Sequence, residues 1–247
     1  MSSADQQAFL DNLRRALTHN ASAPAGDPLA KHTGIYQSQT TTVSRNREEQ
    51  LALLEQLIQE GGPINLNVTA HKDRQSVAMA IRRLAVDSEP EFGDKKQIAA
   101  WNHPLIRDLN LPEVLKDTGI PVKLTDQTHA HDREKLRQWI FNAYIGITSA
   151  DFCLADSATL VLKTRAGQDR SVSLVPSIHI AVIGLEQILG SLKALYYILD
   201  NDPKHVKEGL TPCLTLISGP SKTADIEATM VHGAHGPREV HLFVVTG

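Results

Sequence analysis

Apolar positions along this chain recur first at helical spacing and then in short runs that alternate with further helical stretches. Phe9, Leu10, Leu13 and Leu17 predict an amphipathic helix within residues 1–20. The stretch Asn20–Arg45 is rich in Ala, Pro, Gly, Ser and Thr and reads as an extended connector. Leu51, Leu54, Leu57 and Ile58 mark a second helix, which Gly61-Gly62 stops. From there strands and helices alternate. Short strands are expected at Ile64–Val68, Gln97–Trp101 and Ile120–Leu124, with helices at Asp73–Val86, His103–Asp117 (opened by Pro104) and Asp132–Tyr144 between or after them. Phe152–Ala155 and Thr159–Lys163 read as two short strands around an Asp156-Ser157-Ala158 turn. His179–Ile183 reads as a strand and Leu185–Leu199 as a helix. Thr211–Ile217 is expected as a buried strand, then a helix, then a last strand Val240–Val245. Alternating βα units predict a three-layer α/β/α sandwich with a mostly parallel sheet, carried by residues 46–247, with residues 1–45 as a helical and extended N-terminal appendage.

Composition narrows the class. The 247 residues are 41% hydrophobic but 4% aromatic, so aliphatic side chains must fill the core. A formal charge of −3 offers no basic surface for nucleic acid. No run approaches the roughly 18 apolar residues of a membrane span, and the N-terminus lacks the apolar core of a signal peptide. These features predict a cytoplasmic protein. The two cysteines, Cys153 and Cys213, fall in apolar runs and are too few to ligate an iron–sulfur cluster through four thiolates, so no cofactor is expected on this chain. Dinucleotide, P-loop, zinc-protease and Cys-x-x-Cys motifs are absent from the sequence, and no metal site is expected.

The strongest chemical signal lies near the C-terminus. Ser218, Gly219, Ser221, Lys222 and Thr223 follow an apolar run, in the arrangement of a strand, a tight turn and a capped helix start. Such a helix N-terminus would present backbone N–H groups and the positive end of its dipole to a phosphate or carboxylate. In an open α/β sheet, that turn belongs at the carboxyl ends of the strands. His235, Arg238 and Glu239 come next: a proton-exchanging imidazole, a carboxylate-binding fork and an orienting carboxylate. His179 sits at the start of a strand, where it suits either a core role or substrate contact. Asp151 can cap a connection or point into a cleft, and Arg165–Arg170 reads as a solvated hairpin tip turning at Gly167.

The string from Ser218 to Val245, SGPSKTADIEATMVHGAHGPREVHLFVV, closely resembles the C-terminal signature of LUD-domain proteins and, among them, the lactate-utilization protein C family. Gly146–Leu162 and Ser173–Val182 resemble that family's preceding blocks, in the same order. One departure stands out. Ser157-Ala158-Thr159 occupies a place where the family often has Thr-Gly-Thr, which removes a glycine's access to positive φ. The resemblance implies a fold similar to the ribose-phosphate isomerase and CoA-transferase group. It also implies a role in oxidising L-lactate to pyruvate beside iron–sulfur partner proteins. On this expectation His235, Arg238 and Glu239 act on the substrate, while Ser218, Gly219, Ser221, Lys222, Thr223 and His179 bind a small carboxylate or phosphate. An independent sugar-phosphate or acyl-transfer enzyme, or a scaffold subunit, are the alternatives.

Overall fold

The computed structural model describes Asp11 and residues 45–91, 93–125, 130–208, 213–224, 230–232 and 235–247. The first predicted helix, the connector and residues 225–229 lie outside the described residues, Asp11 and Arg45 excepted.

Helix α1 (Arg47–Gly61) starts where the Asn46 side chain accepts from Glu49 N–H while Glu49 reaches back to the Asn46 N–H, a reciprocal cap. Helix α2 (Arg74–Asp87) starts the same way, with Asp73 and Ser76 exchanging bonds. Between them lies β1 (Leu66–His71), and β2 (Ile98–Trp101), β3 (Val122–Thr125) and β4 (Ile145–Ser149) follow. The chain then makes β5 (Phe152–Leu154), β6 (Thr159–Lys163) and β7 (Ile178–Gly184), and it ends with β12 (Glu239–Val245). Six of these strands form one parallel sheet in the order β1-β12-β7-β4-β2-β3. All seven residues of β7 are buried, as expected of a central parallel strand covered on both faces.

One face packs on α2 through Val77, Ile81 and Ala85, and on Ile106, Leu111 and Leu115. The other packs on α1 through Leu54 and Leu57, and on Leu136 and Ile140 of α5 (Ala130–Phe141). The α/β/α sandwich is therefore present. The second face also carries something the pattern did not reveal. A four-stranded sheet, β8-β5-β6-β9, lies against it through Cys153, Leu160 and Leu162, with β8 at Ile188–Leu189 and β9 at Leu214–Ile217. Its outer side is capped by Ala194 and Leu195 of α7 (Leu192–Asn201).

The structure departs from expectation at three places. The helix foreseen at His103–Asp117 is broken into α3 (Pro104–Arg107) and α4 (Leu111–Val114), because Asn110 adopts a left-handed φ of 46° between them. The Leu185–Leu199 helix begins only at Leu192, capped by Ser191, after the short strand β8. The last difference bears on function. Thr211–Ile217 is not a core strand: β9 is the edge of the small sheet, antiparallel to β6, and Leu214 and Leu216 are 38% and 49% exposed. No helix begins at Lys222. Lys222–Ala224 is β10, paired antiparallel with β11 (Met230–His232).

Candidate functional site

The Ser218–Ser221 turn and the segment leading into Glu239 gather at the amino ends of the parallel strands. Ser221 N–H donates to the Pro237 carbonyl (2.8 Å), and Arg238 N–H donates to the Ser177 carbonyl (2.9 Å), just before β7 begins. Gly219, with φ 76°, lies so close to the carbonyl of Ile64, ahead of β1, that an added Cβ would stand 2.4 Å from that oxygen. Ser218 Oγ is 2.7 Å from Thr159 Oγ1. The expectation that this turn lies at the carboxyl ends of the sheet, backed by a helix dipole, is thus corrected. The apolar run before it feeds an edge strand of the small sheet, and a β-hairpin takes the place of the helix. What remains is a surface with exposed Lys222 and His235, and with Arg238, whose Nε stands 3.4 Å from Glu239 Oε1. Glu239 also faces His241 Nε2 at 3.4 Å, so the ion pair braces the start of β12. The side chain of Thr223 lies outside the described residues.

His179 is separate from that surface. It is fully buried in β7, its Nε2 is 2.8 Å from Thr148 Oγ1, and its Nδ1 has no hydrogen-bond partner. Burial, and then the neighbouring His241, push its pKa down to about 3, so the ring is neutral. Enclosed in this way, it cannot touch a substrate as the sequence suggested.

A different cluster occupies the carboxyl ends. Strand β2 leads outward to β3, whereas the chain leaving β4 returns on the other side to β7, so the gap between β2 and β4 is a topological switch point where open α/β sheets place ligands. Asn102 and His103 follow β2, and Asp151 follows β4. The 165–168 hairpin folds over them. Asn102 N–H donates to the Gly167 carbonyl (3.2 Å), and Trp101 Nε1–H donates to the Asp169 carbonyl (2.9 Å). The supposed solvated tip is therefore packed, and Arg165 is part of the cluster. Its guanidinium donates to Asp151 Oδ1 and, 3.2 Å away, to Glu208 Oε2 on α8 (Pro203–Glu208). Asp151 Oδ2 accepts the Lys163 N–H at 2.7 Å.

Lys163, the last residue of β6, has a side chain only 2% exposed; its ammonium lies 2.9 Å from Glu208 Oε2 and 3.3 Å from His205 Nδ1. Hydrogen bonds from Lys163 first, and then from Arg165, hold the Glu208 carboxyl at about 2. The pKa of His205 is lowered by burial and by Lys163. His103 is lowered by burial, against the pull of Asp151 and with the push of Arg165 and Arg107, and its Nδ1 is buried without a hydrogen-bond partner. Chemically this end offers fixed cations for a carboxylate and neutral imidazoles for a proton. In the sequence Asp151 and Arg165 stand out singly, and Glu208 and His205 not at all. Periodicity treats Lys163 as one more strand residue, and nothing local announces that Glu208, 45 residues later, returns to it.

A family model described as the LUD domain matches residues 40–245. The chain belongs to the LUD domain family. Among curated relatives, the lactate utilization protein C of Halalkalibacterium halodurans is 34% identical over 179 residues, 71% of this chain and 74% of that protein. The protein of the same name from Shouchella clausii is 31% identical over 183 residues, 72% of this chain and 75% of its own length. A DUF162 family crystal structure from Deinococcus radiodurans covers 82% of this LUD-domain chain and 99% of its own, at a TM-score of 0.51 and 21% identity. That last likeness speaks to fold alone.

Proposed function

We propose that this LUD-domain protein serves lactate utilization as a component of an L-lactate oxidation system, working beside iron–sulfur partner proteins that carry the electrons away. The observation that carries this reading is kinship: relatives matched over about seventy per cent of the chain bear the name lactate utilization protein C. With only two cysteines, the chain has too few thiolates for a cluster of its own, which is why partners are invoked. A cytoplasmic setting fits that division of labour, and among the described residues no helix is long and apolar enough to cross a membrane. The small carboxylate of this chemistry is read as entering at the carboxyl ends of β2 and β4, where Arg107 and Arg165 each lie within electrostatic reach of His103. Arg165 and Arg107 suit a carboxylate, and a neutral His103 suits acceptance of a hydroxyl proton.

A second reading keeps the anion at the amino ends. Exposed Lys222, and Arg238 with a third of its side chain open, favour it. The test is lactate-dependent reduction of an artificial electron acceptor, first with this chain alone and then in mixture with the iron–sulfur proteins. Turnover only in the mixture is expected. Turnover by the chain alone, or none in the mixture, would refute the subunit role. Within the mixture, Arg107→Ala is expected to lower activity more than Arg238→Ala, and the reverse order would move the ligand to the amino end.

A further inference from the structure

Lys163 poses a problem of charge. An ammonium enclosed to 2% exposure needs a permanent anionic partner, because an uncompensated charge at such depth is costly. Asp151 does not meet this need: its Oδ2 takes the Lys163 backbone N–H, and its Oδ1 takes the Arg165 guanidinium. The partner is Glu208, reaching in from α8. One carboxylate oxygen, Oε2, touches both cations, at 2.9 Å from Lys163 Nζ and 3.2 Å from Arg165 Nη2. Glu208 itself is 36% exposed, so its carboxylate enters from the solvent side and closes the way to a buried lysine. His205 Nδ1 stands beside the same ammonium at 3.3 Å. Two converging cations, a neighbouring neutral imidazole and a solvent-side approach describe a carboxylate-binding site that the protein has filled with a carboxylate of its own.

We propose that Lys163 and Arg165 form the binding site for the carboxylate of a small monocarboxylic acid, and that Glu208 occupies this site in the resting protein and is displaced when the ligand binds. Exchange of one carboxylate for another keeps Lys163 compensated throughout, so neither state leaves a bare buried charge. Arg165 keeps its bond to Asp151 in both states, which holds the guanidinium in place while its second donor changes partner. The ligand's remaining atoms then lie next to His205, and Phe152, whose ring is 5.3 Å from that imidazole, supplies an apolar wall for a short alkyl group. The proposal rests on the carboxylate ligand of the reading above, keeps Arg165 as one anchor and makes Lys163, rather than Arg107, the other. It also makes Glu208 an internal competitor, so removing it must tighten binding. A purely structural ion pair predicts no ligand-driven opening of residues 203–208 in the unaltered protein.

The test is direct binding by calorimetry, with acetate, L-lactate, pyruvate and inorganic phosphate as separate probes. Glu208→Gln keeps the side chain's size and removes its charge, and it is expected to bind at least one carboxylate about tenfold more tightly than the unaltered protein. Lys163→Met is expected to abolish that binding. In the unaltered protein, saturating ligand is expected to speed hydrogen exchange in residues 203–208, a readout that needs no variant. Unchanged affinity for all three carboxylates in folded Glu208→Gln would overturn the proposal, as would unchanged exchange at 203–208 or a preference for phosphate. Tighter binding of acetate without binding of lactate or pyruvate would uphold the site and sink the lactate reading instead.

Discussion

His179 gives this protein a calculable weakness to acid. The ring is fully buried, and its pKa falls from the ordinary 6.5 to about 3, through burial first and the nearby His241 second. An unfolded chain takes up a proton on this residue as pH drops through 6.5, while the folded chain does not until about 3. Stability tied to His179 is therefore complete above the upper value and declines through the window between them. At about 1.36 kcal/mol per unit, acidification from pH 7.5 to 4.5 removes about 3 kcal/mol, a sizeable share of a typical domain's stability. His179→Leu lacks the titration. It strands the Thr148 hydroxyl, which now lies 2.8 Å from the ring, at a cost of about 1–3 kcal/mol. That cost does not change with pH, and His241 remains in both proteins, so the difference of slopes isolates His179. Urea unfolding at pH 7.5, 6.5, 5.5 and 4.5 should show the unaltered protein losing stability faster, with the gap between the two changing by about 3 kcal/mol across the range. Parallel pH curves would refute the reasoning, because they would mean that the buried ring takes its proton as readily folded as unfolded.

Other outcomes follow from close packing and local backbone strain. Gly146→Ala would set a Cβ 1.8 Å from the Val172 carbonyl oxygen, so α6 (Ser171–Leu174) must lift from β4; a loss of about 3 kcal/mol is expected in urea unfolding. Ala158 is fully buried with φ 44°, so Ala158→Gly relieves about 1–2 kcal/mol of left-handed strain. That relief offsets the lost methyl burial and the added unfolded-chain entropy, and a shift within about 0.5 kcal/mol is expected. A loss above about 1.5 kcal/mol would show that the position carries no strain. Cys153 is enclosed, and burial pushes its thiol upward, whereas hydrogen bonds from Thr215 and Arg170 lower that of Cys213. Brief alkylation of native protein, read by mass spectrometry, should modify Cys213 and spare Cys153; modification of both at equal rates would contradict the burial argument.

How far the sequence reaches depends on the range of the interaction that decides each feature. Caps and periodic faces act over three or four residues. The spans of α1 and α2 were accordingly legible from Leu51, Leu54 and Leu57 and from the helical spacing across Asp73–Val86, and the structure adds the Asn46 and Asp73 caps that start them. Strand β6 was legible residue for residue, and the parallel sandwich followed from the alternation of elements. Pairing was not legible. An apolar run such as that ending at Ile217 looks the same whether it enters a central parallel strand or the edge of a second sheet, since what covers it comes from elsewhere in the chain. That ambiguity moved Ser218–Thr223 to the opposite end of the molecule and replaced a helix with a hairpin.

By itself, then, the sequence determined family, class and most element positions, because local periodicity and motif order fix them. Tertiary structure alone decided which strands are neighbours, and with that where the switch point lies. It also decided that Lys163, Arg165 and Glu208 meet there, because a charge cluster is assembled by contacts spanning tens of residues that no local pattern encodes.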